Sequence, residues 1–271
     1  MVAGLIAAAL AALVLTGCAS VAPDRVGPPA ASIAPFASLA PVPTVATDSG
    51  PASVGAAAGG WVPWQLHPKK ARTRYSLVSV DGRSALRADA DSSASGMVQA
   101  LDADPAVTPV LAWSWRVDRL IEGADSADRH ADDSPVRVMI AFDGDVGTLP
   151  LKERMLFERV ALFGGRPLPY ATLAYIWDND KPVGTIVPNP HTSRIQKIVV
   201  ASGPQGLHRW QSYQRDIVSD YRRAFGSAPG RVTAVAVMTD TDNTRTRATA
   251  FYGDIQLMPR PLQAGVGGGP P

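Results

Sequence analysis

Two clusters of oxygen-bearing side chains carry the chemistry this sequence could do. Residues 125–133 read Asp-Ser-Ala-Asp-Arg-His-Ala-Asp-Asp and set four carboxylates beside His130. Calcium takes six to eight oxygen ligands, and such a loop can donate several of them. The adjacent Asp132 and Asp133 repel unless a cation or an arginine lies between them. Arg116 and Arg137, on neighbouring predicted strands, are the candidates. The plainer reading is a solvated loop with one Asp paired to Arg137. The alternatives are a metal or ligand site, and general acid–base work by Asp132 or Asp133. The second cluster is Asp240-Thr241-Asp242-Asn243-Thr244, with oxygens at alternate positions as a calcium loop begins. Arg245 stands where the turn glycine belongs and no Glu closes the pattern, so a metal-free turn suffices there. Calcium is the one candidate cofactor; nothing in the sequence calls for another.

Aromatic residues offer a second kind of chemistry, because sugar rings stack their CH faces on Trp and Tyr. Trp177 leads directly into Asp178-Asn179-Asp180-Lys181, which would set a stacking platform beside polar groups. Trp113 and Trp115 share a face with Leu111 and Val117 and read as core. Together Asp132, Asp133, Arg137, Trp177, Asp240, Asp242 and Asn243 are the candidate ligand-binding residues. No catalytic set stands out. There is no Gly-x-Ser-x-Gly elbow, no phosphate loop and no His-Glu-x-x-His. His67, His130, His191 and His208 are too far apart in sequence for a helical metal pair. Asp supplies 21 of the 24 acidic residues, and short Asp side chains in loops more often serve turns than catalysis.

The elements that must position these residues are mostly strands. Period-two alternation marks 110–117, where Leu111, Trp113, Trp115 and Val117 oppose Ala112, Ser114 and Arg116. It recurs at 136–142, with Val136, Val138, Ile140 and Phe142 on one face, and at 171–177. Residues 194–201, 231–239 and 249–258 complete the stronger strands, with shorter ones at 75–80, 85–90 and 97–101. Asp-Gly, Gly-Pro and Pro-Gly pairs mark the connections. Two segments read as helices, 151–162 and 213–225, the second stopped by Gly226. About nine strands without regular strand–helix alternation predict a mainly β fold: an antiparallel β-sandwich, jelly-roll in topology, with two inserted helices.

Location is written at the amino terminus. Residues 5–15 are apolar, too short for a spanning helix and right for a secretory signal. Leu15-Thr16-Gly17-Cys18 resembles the bacterial lipobox, whose cysteine becomes the lipid-bearing first residue of the mature chain. Ala19 and Ser20 resemble outer-membrane sorting, with the domain facing the periplasm or the cell surface. The expected partner is therefore a lipid bilayer, through Cys18. As Cys18 is the single cysteine, no internal disulfide can form. Of residues 19–60, 29 are Ala, Pro, Ser or Gly, too few apolar groups to close a core. The expected organisation is a signal at 1–17, a disordered tether over 18–60, one domain over 61–259 and a disordered tail over 260–271. A formal net charge of +2, with no basic cluster, argues against a nucleic-acid partner.

Several stretches, in order, are similar to a known family: 109–117 (Pro-Val-Leu-Ala-Trp-Ser-Trp-Arg-Val), 131–138 (Ala-Asp-Asp-Ser-Pro-Val-Arg-Val), 168–177 (Leu-Pro-Tyr-Ala-Thr-Leu-Ala-Tyr-Ile-Trp), 238–244 (Met-Thr-Asp-Thr-Asp-Asn-Thr) and 252–255 (Tyr-Gly-Asp-Ile). Together they resemble the uncharacterised secreted bacterial family called domain of unknown function 3047, across roughly 61–257. The closing strand also resembles the last strand of galactose-binding-like jelly rolls. The family resemblance implies no activity and no catalytic residues. The expected function is a non-catalytic, envelope-tethered module binding a glycan or polysaccharide. The alternatives are a glycan-cleaving hydrolase or lyase using Asp132 or Asp133, and a structural envelope lipoprotein with a protein partner.

Overall fold

The computed structural model describes residues 32–39, 60–65, 69–162 and 168–261. The predicted signal, Cys18, most of the tether, and the tail beyond residue 261 lie outside the described residues. In chain order the strands are β1 (Val62–Gln65), β2 (Arg74–Val80), β3 (Arg83–Asp91), β4 (Ala94–Ala103), β5 (Val110–Val117), β6 (Ser134–Phe142) and β7 (Ala171–Asp178). They continue as β8 (Ile186–Pro188), β9 (Ile195–Ser202), β10 (Gln211–Asp216), β11 (Val232–Asp240), β12 (Arg247–Tyr252) and β13 (Gln256–Met258). Helix α1 spans Leu151–Leu162 and α2 spans Ile217–Phe225.

The strands form two sheets, as the alternation requires. One runs β1-β4-β11-β6-β7-β9-β8; the other runs β10-β5-β12-β3-β2, with β13 also on β5. Pairing between these strands is antiparallel except for β7 with β9. The predicted core faces point inward: Leu111, Trp113, Trp115 and Val117 from β5, and Val136, Val138, Ile140 and Phe142 from β6, are all buried. Trp113 bridges the two sheets, its ring 4.9 Å from that of Tyr175 on β7 and 5.2 Å from that of Tyr213 on β10. Such offset aromatic contacts add to the area these rings bury. Asp81-Gly82, both with positive φ, closes the two-residue hairpin between β2 and β3, as Asp-Gly pairs do.

Three expectations need correction. The helix over 213–225 begins as strand: Gln211–Asp216 pairs with β5, and the helix starts only at Ile217. Asp216 caps it by accepting from the Ser219 N–H, a local bond that four-residue apolar spacing does not reveal. Gly226, left-handed at φ 76°, ends it as expected. The single strand over 249–258 is two, β12 and β13, broken across Gly253 to Ile255. Finally, residues 32–39, expected to be disordered tether, pack onto the domain, with Phe36 2% exposed. Two apolar side chains, Ile33 and Phe36, join the core from a short segment that has no periodicity of its own.

Candidate functional site

The Asp-rich loops meet where β11 ends opposite the start of β6. Arg137 is the hub. Its Nε lies 2.8 Å from Asp240 Oδ1 and its Nη2 2.9 Å from Asp240 Oδ2, a two-pronged pair. The same Nη2 donates to the Asp132 carbonyl at 2.8 Å and to Asp132 Oδ1 at 3.1 Å. Lys197 on β9, 1% exposed, donates from Nζ to Asp132 Oδ2 at 2.6 Å and to the Ser126 carbonyl at 2.5 Å. The expected pairing of an Asp with Arg137 is therefore present, through Asp132. Arg116 takes no part: it bonds Asp118 and Asp81 on the other sheet, because strand alternation turns it to that sheet's outer face.

Asp133 is held by the second loop. It accepts from the Asn243 N–H at 3.3 Å and from the Thr244 N–H and hydroxyl, each at 2.7 Å. Asn243 also donates from Nδ2 to the Asp132 carbonyl at 3.2 Å, and Asp242 pairs with Lys70. Asp133, Asp240 and Asp242 bring carboxylate oxygens within 4.8 Å of one another, three of the six to eight oxygens a calcium ion takes. Protein groups already serve these carboxylates: Arg137 for Asp240, loop N–H groups for Asp133, Lys70 for Asp242. The donor set fits a cross-linked loop junction, in which the Arg137 guanidinium lies between Asp240 and Asp132.

Trp177 corrects the aromatic expectation. It is 1% exposed, and its indole N–H donates to the Gly203 carbonyl at 3.0 Å, so its ring packs in the core instead of offering a platform. Lys197 is a member of this network that sequence reasoning missed; Ser126 and Thr244 lie in the two clusters but are not among the candidate ligand-binding residues. For Lys197 a signal existed: it is the single charged residue of the Ile195–Ser202 strand. A buried lysine requires a partner carboxylate.

The electrostatics follow burial and pairing. Burial works to raise the Asp132 carboxyl, but Arg137 and Lys197 outweigh it and hold the group below the ordinary carboxylate range. Burial and the neighbouring Arg137 charge lower Lys197 despite Asp132. Asp240 goes the other way: burial, with Asp133 and Asp132 nearby, pushes it up to about 6 against the pull of Arg137. A carboxyl raised in the fold above its unfolded value binds its proton more readily when folded. Its contribution to stability is thus full below the unfolded value near 3.9 and is lost as pH rises through about 6. Acidifying from pH 7 to 4 should therefore stabilise the native protein relative to Asp240→Asn by on the order of 2–3 kcal/mol. Thermal unfolding of both proteins across that range checks this, and a gap that does not vary with pH would refute it.

A different place offers groups that are open to solvent. On β5 the pairing partner changes: β12 pairs with residues Trp115 to Val117 and β13 with Val110 to Ala112. Between them the chain crosses as Gly253-Asp254-Ile255, with the Gly253 N–H on the Ser114 carbonyl at 2.9 Å. A side chain at Gly253 would meet the Ser114 hydroxyl at 2.2 Å, so glycine keeps this crossing close to β5. The change of partner leaves a cavity of about 440 Å³ on the outer face of the sheet. Ser114, Ser212, Gln214, Asp254 and Gln256 line it around Ala112, with Trp113 and Tyr213 among its walls. Ser212, Gln214, Asp254 and Gln256 are exposed.

Comparison with known proteins bears on the whole domain. The family described as "Protein of unknown function (DUF3047)" matches residues 59–256. No curated protein matches. Among solved structures, the chain is similar to the xyloglucanase domain of NopAA, a type three effector from Sinorhizobium fredii, in complex with cellobiose. The identity is 10%, over 74% of this chain and 93% of that one, with a TM-score of 0.38. It is also similar to endoglucanase 3 of Trichoderma harzianum, from family GH12, at 10% identity over 68% of this chain and 83% of that one, with a TM-score of 0.31.

Proposed function

The chain belongs to the family described as "Protein of unknown function (DUF3047)", and from that premise we propose that it is a non-catalytic glycan-binding lipoprotein of the bacterial envelope. Lipid on Cys18 holds it at the outer membrane. The observation that carries this reading is the composition of the cavity on β5, β10 and β13. Two hydroxyls, two primary amides and one carboxylate surround a small alanine floor. Hydroxyl and amide groups both donate and accept, which matches the hydroxyl pattern of a sugar. A volume of about 440 Å³ falls in the range of small-ligand sites.

Binding without cleavage fits the carboxylates. Glycosidic hydrolysis needs two carboxyls on opposite sides of one bond, and Asp254 is the one carboxylate among the described residues that line the cavity. Of the two acids the enzymatic alternative names, Asp132 is buried against Arg137 and Lys197, which favour its ionised form. Asp133 accepts from the Asn243 and Thr244 N–H groups and the Thr244 hydroxyl, and neither acid lines the cavity. The Asp132–Asp133–Asp240 junction acts in this reading as the brace that fixes the loops.

The test is calorimetric titration of the full chain with cello-, xylo- and chito-oligosaccharides and peptidoglycan fragments, with the same mixtures checked for shortened chains. Saturable binding without shortened products is expected, from at least one of these classes. Ser212→Ala combined with Gln256→Ala should weaken it about tenfold, two lost hydrogen bonds at about 0.5–1.5 kcal/mol each. Shortened chains would make the protein an enzyme. Silence across the panel, or loss of binding through Asn243→Ala instead of the cavity variant, would overturn the assignment.

A further inference from the structure

The segment 32–39 is fastened by three side chains that come from distant parts of the domain. The Gln99 amide, 1% exposed, accepts from the Ala34 N–H at 2.9 Å and donates to the Ser32 carbonyl at 3.2 Å. The Trp61 indole donates to the Ala34 carbonyl at 2.7 Å. The Phe36 N–H donates to Asp254 Oδ1 at 2.8 Å. The Phe36 ring packs against Trp61 with centroids 4.7 Å apart, and Ile33 is buried beside it. Asp254 is thus shared: it holds the segment and it lines the sugar cavity.

We propose that segment 32–39 is a strap that sets the cavity, so that its docking and the binding of sugar favour one another through Asp254. This rests on the glycan reading above. The Phe36 N–H takes up one lone-pair site of a carboxylate that has about four, which leaves acceptors for a sugar hydroxyl. The bond also fixes the carboxylate in place before ligand arrives, which removes an ordering cost from binding. Coupling of this kind is reciprocal: sugar must tighten the strap by the factor by which the strap tightens sugar. The strap lies between Cys18 and the domain in the chain, so the coupling ties occupancy of the cavity to the connection that leads to the membrane.

Amide hydrogen exchange on the full chain, with Phe36→Ala and Asp254→Ala, tests this alongside titration with the oligosaccharide the wild type binds best. Phe36→Ala should speed exchange in 253–256 as well as in 32–39, and Asp254→Ala should speed exchange in 32–39. The oligosaccharide should slow exchange in 32–39 of the wild type, and Phe36→Ala should bind it about tenfold more weakly. Phe36→Leu, which keeps an apolar anchor, provides the same comparison if Phe36→Ala does not fold. Unchanged protection of 253–256 in the Phe36 variant would show that the strap is mere packing, and equal or tighter sugar binding would overturn the coupling. If the wild type binds no oligosaccharide, the glycan reading is what has failed, and the exchange at 253–256 still separates that failure from failure of the strap.

Discussion

Replacing Arg137 by methionine is expected to destabilise the domain by about 3–5 kcal/mol, since removing one side of a buried pair strands the other charge. Arg137 meets both Asp240 oxygens, at 2.8 and 2.9 Å, and Asp132 at 3.1 Å. Lys197 still serves Asp132 in the variant, but Asp240 keeps only the Ser134 N–H at 3.1 Å among the donors described. In a domain of this size the loss amounts to a fall of roughly 10 °C in melting temperature. Arg137→Lys should fall between, because an ammonium cannot make the two-pronged contact. Combining Arg137→Met with Asp240→Leu should recover most of the loss, as an apolar pair of similar size often equals or exceeds a buried ion pair. Thermal unfolding of the four proteins decides the matter. A single variant melting within about 2 °C of wild type would mean that the junction is not the brace proposed.

Cys18→Ser is expected to move the protein from the membrane fraction to the soluble one. Each buried methylene of an acyl chain contributes about 0.8 kcal/mol of membrane affinity, so two or three chains make a stable anchor. Among the described residues no helix is long and apolar enough to cross a membrane and substitute for it. Fractionation, with labelled fatty acid to follow the lipid, is the measurement. A variant that stays in the membrane fraction would remove the lipid anchor from the account.

The places where sequence and structure part company are specific. Trp177 alternates with Leu173 and Tyr175 on one face of β7, and that same alternation, taken alone, could have placed it in the core. Its position beside a polar loop suggested a platform instead. Asp216 illustrates a different limit. Residues Tyr213, Ile217, Tyr221 and Phe225 have helical spacing, yet Tyr213 belongs to β10, where it packs on Trp113. Pairing with β5 outweighs local periodicity, since a strand's partner lies about a hundred residues away in the chain. Gly253 shows the same limit at the proposed binding site: Tyr-Gly-Asp reads as a continuing strand, while the crossing it makes depends on β5 changing partners.

By itself the sequence determined the class of fold, the inward faces of β5 and β6, the Asp-Gly hairpin and the pairing of an Asp with Arg137. Each of these rests on periodicity, turn chemistry or the cost of neighbouring like charges, which act over a few residues. Tertiary structure alone decided that Lys197 completes the junction, that a piece of the expected tether docks through Phe36, and that a polar cavity forms around Ala112. Those outcomes depend on which distant strands become neighbours, and on whether a carboxylate meets a cation or solvent when they do. Asp240 and Asp254 have the same side chain; burial against Arg137 makes one a brace, and exposure at a strand crossing leaves the other, though it accepts from the Phe36 N–H, with acceptor sites open to solvent.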